Sequence, residues 1–198
     1  MKISKLALPL VCLCSLTACG SKTSMAAFKE AADKIEYHIY KRITLKYFYE
    51  EDNGKTEGQY SFKYNKDKHI YASESEETVS TFIRDVVTKS NIKQMDFEDD
   101  IFDSYEYWAK QIDENAKIKK EINYYVNPFK ITGNFSATYN SDEYNGETKL
   151  DLKLEFNKYG DMTNYDYSYR DDYKKIEKGC KTVKKNYTRQ KIKLSYEG

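Results

Sequence analysis

From Arg42 onward, apolar and aromatic side chains recur at every second position in run after run, and the runs are broken by turns rich in glycine and asparagine. In the first run Ile43, Leu45, Tyr47 and Tyr49 fall on one side, with Thr44, Lys46 and Phe48 on the other. A period of two places alternate side chains on opposite faces of a strand, so such runs bury one face and wet the other. That pattern demands antiparallel pairing with one solvated side. It predicts strands at Arg42 to Tyr49 and at Tyr60 to Tyr64, joined by a turn at Asp52-Asn53-Gly54, since Asn-Gly between alternating runs is a strong hairpin signal. A short strand at His69 to Ala72, after the Asn65-Lys66-Asp67 turn, completes a meander.

The C-terminal part repeats the period over longer runs. Ile122, Tyr124 and Val126 lead to Pro128, which removes a ladder donor and marks a strand edge or bend. Phe129, Ile131, Phe135, Ala137 and Tyr139 follow, with Gly133 read as a kink or bulge. Turns are predicted at Asn145-Gly146 and Tyr159-Gly160-Asp161. Between and beyond them lie Leu150, Leu152, Leu154 and Phe156, then Tyr165, Tyr167 and Tyr169. A basic loop carrying Cys180 precedes a last strand with Ile192, Leu194 and Tyr196.

Three segments have helical spacing instead. Phe28, Ala31, Ala32, Ile35 and Ile39 predict a helix from Met25 to about Tyr40. Ser73 with Glu76 has capping-box spacing ahead of Val79, Phe82, Ile83, Val86 and Val87. A further helix, capped by Asp103 or Ser104, carries Tyr105, Trp108, Ala109, Ile112 and Ala116. Each of the latter two is apolar on one face only, so each covers a surface and shows its other side to water. The expected fold class is α+β: a curved antiparallel sheet with an N-terminal helix and a two-helix insert on one face.

The N-terminus reads differently. Lys2 and Lys5 precede an apolar run, Leu6 to Leu16, which is about half the length a membrane span needs and is broken by Pro9. That is the build of a secretion signal. Its end, Leu16-Thr17-Ala18-Cys19 before Gly20-Ser21, resembles the lipobox of bacterial lipoproteins. The resemblance implies cleavage after Ala18, a diacylglyceryl group on the Cys19 thiol, and residence on the outer face of a cell membrane. Two acyl chains hold a protein stably where one does not. The expected organisation is a signal peptide at 1–18, a lipidated tether at 19–24 and one domain at 25–198.

Charge and cysteine content narrow the partners. With 33 basic and 32 acidic residues, the balance implies no polybasic face, so nucleic acid and bulk anionic surfaces are poor partners by composition. Cys12 and Cys14 leave with the signal and Cys19 serves the anchor, which leaves Cys180 with no internal disulfide partner. The chain has 20 tyrosines, residues suited to half-buried strands and to faces that meet ligands.

Residues for catalysis are sparse. His38 and His69 are the only histidines, and neither is accompanied by a serine or cysteine elbow. There is no Gly-rich phosphate loop and no zinc-ligand spacing, so no cofactor or metal is implied. The acidic group Asp96, Glu98, Asp99, Asp100 and Asp103 lacks the glycine and closing glutamate of a calcium loop and reads as a solvated linker that complements the next helix. A hydrolase requires a carboxylate pair brought together only by folding.

The order helix, three strands, two helices, four or more strands is similar to that of the LolA-like half-barrel lipoproteins and carriers. The likeness is carried by the helix at Ala26 to Ile39, the helical insert at Val79 to Ala116, and the strand and turn from Leu152 to Asp161. It spans nearly all of residues 25 to 197 and implies a hydrophobic cavity between sheet and helices that receives an acyl chain or other apolar ligand. On that reading Val79, Phe82, Val86, Tyr105, Trp108 and Ile112 line the cavity, and Trp108 serves as wall or as core anchor of its helix. The chain is then a non-enzymatic binder or carrier at the membrane. The alternative is a surface interaction protein or adhesin that contacts a protein or glycan through tyrosine-rich strands.

Overall fold

A computed structural model describes residues 21–74, 81–95 and 102–198, with only the backbone of Thr81, Phe82 and Arg84. The described residues form one nine-stranded antiparallel sheet that does not close, with three short helices making up about 17% of the structure. Strands β1 (Lys22–Thr23), β2 (Arg42–Glu51), β3 (Gly54–Asn65) and β4 (Ile70–Ser73) come before the helical insert. Strands β5 (Lys117–Tyr125), β6 (Lys130–Asn140), β7 (Tyr144–Phe156), β8 (Met162–Glu177) and β9 (Cys180–Glu197) follow it. Their spatial order is β1-β5-β6-β7-β8-β9-β2-β3-β4, so the first meander joins the edge of the last strand. β is the dominant content, more so than the α+β expectation implied.

One cross-strand row shows how the sequence pattern becomes a core. Tyr124 pairs with Ile131, Ile131 with Leu154, Leu154 with Tyr165, Tyr165 with Ile192, and Ile192 with Tyr47. Directly opposed residues share a face, so every alternating run turns its apolar side the same way. The helices cover that face in two groups. Helices α1 (Met25–Asp33) and α3 (Asp103–Ile112) pack over β5 to β8 through Phe28, Ala32 and Ala109. Helix α2 (Thr81–Thr88) packs over β2, β3 and β9, where Val87 joins Ile43, Leu45, Phe62 and Ile192. Tyr165 and Met162 touch both groups and join them.

Several expectations need correction. Helix α1 ends at Asp33, not near Tyr40, with Lys34 at its C-cap. Ile35 still packs on the core, whereas Ile39 is exposed. The start of α1 is set by Ser24, whose Oγ accepts from the Ala27 N–H at 3.2 Å, a cap worth about 1 kcal/mol. Ser73 closes β4, opposite Phe62, while Glu76 and Val79, on which its expected capping rests, lie outside the described residues. Phe102, not Asp103 or Ser104, takes the N-cap position of α3 and makes no side-chain cap bond. Ala116 lies beyond the helix. Pro128 sits in the turn between β5 and β6, and the Asn127–Pro128 bond is cis.

Gly133 causes no bulge, because its pairings with Ile122 and Leu152 are in register. It makes room: a Cβ there would stand 2.6 Å from Cζ of the buried Phe102 ring. Asn145-Gly146 is not a turn either. Both residues lie inside β7, and the turn falls at residues 141–143, where the Ser141 N–H donates to the Tyr144 carbonyl and Ser141 Oγ accepts from the Tyr144 N–H. The basic loop is ordered strand: β8 and β9 pair as far as Glu177 and Cys180 around a two-residue turn at Lys178-Gly179, both at positive φ.

Candidate functional site

Helix α2 is flanked by two clefts, and the sheet beneath it supplies the floor of each. The first, of about 480 Å³, is apolar. Val86 and Ile83 form its helix side, and Leu45, Tyr47, Tyr60 and Ile192 form its sheet side. Leu45 and Tyr60 are directly opposed on β2 and β3, and the rings of Tyr47 and Tyr60 stack at 5.9 Å. Tyr47 lies flat because Gly58 faces it; a Cβ on Gly58 would meet the ring at 2.5 Å. Among the described residues its polar groups are Thr56, Gln190 and the tyrosine hydroxyls, of which Tyr49 donates to Glu51. The Glu51 carboxylate, helped by burial, raises the Tyr49 phenol above its ordinary value. The volume and the ratio of apolar wall to polar rim fit a ligand with a hydrophobic body and a small polar end.

The second cleft, of about 460 Å³, is polar and aromatic. Its base is Asp161, 7% exposed, which accepts from the Tyr40 hydroxyl at 2.9 Å and from Asn91 Nδ2 at 2.8 Å. Asn157 Nδ2 donates to the Tyr40 oxygen at 2.9 Å. The turn between β7 and β8 holds this carboxylate in place, since Gly160 at φ +76° carries its backbone against Ile92. Burial first, then the bond to Asp161, drive the Tyr40 phenol far above its ordinary value, so it is a fixed donor rather than a proton shuttle. His38 stacks on Tyr159 at 4.3 Å and meets the Tyr40 ring edge-on at 4.6 Å. His69, at φ +53°, lies near the Tyr64 hydroxyl on the same cleft. Both histidines therefore border one cavity, with His38 half-buried by ring contacts rather than solvated.

Of the six residues expected to line one cavity, those whose side chains are described do not share one. Val86 lines the apolar cleft, Phe82 belongs to α2, and Val79 lies outside the described residues. Tyr105 and Ile112 pack into the other hydrophobic group, where the Tyr105 and Tyr167 hydroxyls meet at 2.9 Å. Trp108 is neither wall nor anchor: it is 64% exposed, with the Tyr107 ring edge-on at 5.5 Å. Leu45, Tyr47, Tyr60 and Ile192 supply the wall instead, and the signal for them was their shared side in the period-two runs.

Among the described residues no group of three or more His, Cys, Asp or Glu could hold a metal ion. Of the acidic linker, residues 96–100 lie outside the described residues; Asp103 sits in the first turn of α3 and pairs with Lys120 at 3.0 Å. Cys180 is exposed at the start of β9. Cys19 and Ala18 also lie outside the described residues. No described helix is long and apolar enough to cross a membrane. No protein-family model, no curated protein and no solved structure matches the chain.

Proposed function

We propose that this chain is a membrane-anchored extracytoplasmic lipoprotein that binds or carries a hydrophobic or amphiphilic ligand without catalysing a reaction. The observation that carries the reading is the apolar cleft of about 480 Å³ between α2 and the β2-β3-β9 part of the sheet. Its described walls are aliphatic and aromatic, with Thr56, Gln190 and tyrosine hydroxyls as polar groups for a ligand's polar end. The sheet is then a half-barrel of the LolA-like kind, curved over its helices, and Cys19 carries the diacylglyceryl anchor. The second cleft serves the same ligand's head group or a separate polar ligand.

Mass spectrometry of the protein purified from cells, under native conditions and again after solvent extraction, tests the ligand. A stoichiometric apolar adduct that disappears on extraction is expected, as is uptake of a fluorescent fatty acid that Leu45→Asp weakens strongly. A clean mass and no fatty-acid binding would overturn the carrier reading in favour of surface contact. That second reading draws on Tyr37, Ile39 and Ile70, three exposed apolar side chains around the polar cleft. The tyrosines of β8 lend it little, since Tyr165, Tyr167 and Tyr169 face the hydrophobic core. The anchor has its own test: Cys19→Ala should release the protein from the membrane fraction or leave it unprocessed, and unchanged mass with full retention would refute acylation.

A further inference from the structure

The near-neutral total hides a local excess of charge. Between Tyr173 and Tyr187 there are six lysines and one acidic residue, Glu177, and this stretch forms the tip of the β8–β9 hairpin. The register sorts those residues by face. Ile176 opposes Lys181, Lys174 opposes Val183, and Asp172 opposes Lys185, so Lys174, Lys181 and Lys185 share the outer face with two aliphatic side chains and with the Asp172 carboxylate, which Arg170 pairs at 3.3 Å. Ile176 is 45% and Val183 49% exposed. Pairing of β9 with β2 stops at Thr188, which leaves the edge from Cys180 to Tyr187 bordered by β8 alone. That is about 25 Å of open sheet edge on the β9 side, while β7 flanks β8 as far as Lys175 on the other.

We propose that the outer face of this hairpin tip is a membrane-contact site that takes anionic phospholipid headgroups, with Ile176 and Val183 entering the interface between the lysines. A soluble polyanion or a nucleic acid would be met by the lysines alone, and two exposed aliphatics among them would then stay in water. Cationic side chains flanking an apolar strip suit a headgroup layer, where charge meets phosphate and the aliphatics leave water together. The site is separate from the anchor. Strand β1, which lies within the expected tether, pairs with Tyr124 and Tyr125 at the opposite end of the strands, about 40 Å away along β8. The proposal rests on the hairpin alone and does not need Cys19 to be acylated.

The test is co-sedimentation of the full chain carrying Cys19→Ser with phosphatidylcholine vesicles, with and without phosphatidylglycerol. Preferential binding to the anionic vesicles, lost at high salt, is expected. Lys174→Gln/Lys181→Gln/Lys185→Gln should weaken it roughly a hundredfold, given what each lysine contributes near an anionic surface. Ile176→Ser/Val183→Ser should also weaken it while leaving the salt dependence in place. Equal binding to both vesicle types, or full binding by the lysine variant, would overturn the proposal. So would heparin or DNA competing fully while the Ile176/Val183 variant binds vesicles like its parent. Fatty-acid uptake by the α2 cleft should be unchanged in both variants, which separates failure of this site from failure of the carrier reading.

Discussion

Thr148 on β7 stands directly opposite Asp171 on β8 and donates its hydroxyl to the Asp171 carboxylate at 2.6 Å. Asp171 is only 6% exposed and also accepts from the Tyr169 hydroxyl at 2.8 Å, while the Tyr139 hydroxyl meets Thr148 Oγ1 at 2.9 Å. Three strands are thus tied by a buried polar chain near the level where β2 stops covering β9. Removing the acceptor takes the partner from the buried Thr148 hydroxyl and the half-buried Tyr169 hydroxyl. Asp171→Ala is expected to cost about 2–3 kcal/mol in urea unfolding, and Asp171→Asn, which keeps an acceptor oxygen, less than half of that. Equal losses for the two variants would mean that the carboxylate is not the hub.

Gly133→Ala probes the fit of Phe102. The added methyl would sit 2.6 Å from the ring, at a position enclosed by sheet and helix, so the ring or the start of α3 must shift. Overpacking of this kind costs about 1–3 kcal/mol. A second change, Phe102→Leu, should recover part of the loss if the clash is the cause.

Alkali should unfold the protein in a tyrosine-dependent way. Burial pushes Tyr139 and Tyr165 up to about 12, and Tyr40, Tyr167, Tyr169 and Tyr196 higher still. Below the ordinary phenol pKa of about 10 these groups are neutral folded or unfolded and pH has no leverage through them. Above it the unfolded chain releases protons that the native chain holds, so stability falls as pH rises from about 10 towards the folded values. Phenolate absorbance should therefore rise in one cooperative step together with loss of circular dichroism, rather than gradually from a folded protein.

Trp108, the only tryptophan, reports on solvent. At 64% exposure its emission should resemble that of the free side chain and shift little on unfolding. A ligand that fills the apolar cleft should leave it unchanged. A strong blue shift on ligand addition would place Trp108 in the binding site after all.

These cases show how far the sequence can be read. Period two identified the strands and their buried side, because alternation is a local property that pairing preserves. Asn53-Gly54 was a turn, yet the same dipeptide at Asn145-Gly146 was not. Gly146 is there because a Cβ would stand 2.3 Å from the Asp172 carbonyl oxygen on the neighbouring strand, a requirement set by a residue far along the chain. Trp108 misled for a related reason: its spacing from Tyr105 and Ile112 puts it at the margin of the apolar face, and only the sheet's position decides that it stays outside. The lysines of the last hairpin were read as a loop because nothing local distinguishes a charged ribbon from a charged turn. The apolar cleft needed the order of strands, since it joins β2 and β3 to β9 across most of the chain.

An open sheet has borders, and every border is a place where another copy of the chain could add a strand and begin a fibre. Here each is defended. Strand β4 offers only four residues, and the part of β3 that it does not pair, Gly54 to Ser61, is broken by Lys55, Glu57 and Gly58. Strand β5 is covered by β1 at Tyr124 and Tyr125 alone, and its remaining border carries Lys117, Lys119 and Lys120. The open border of β9 carries Lys181, Lys184 and Lys185. Two like-charged borders cannot approach without bringing their cations together. The lysines that punctuate these strands therefore keep the protein from polymerising on itself, and any substitution that neutralises them should be watched for aggregation before it is judged for function.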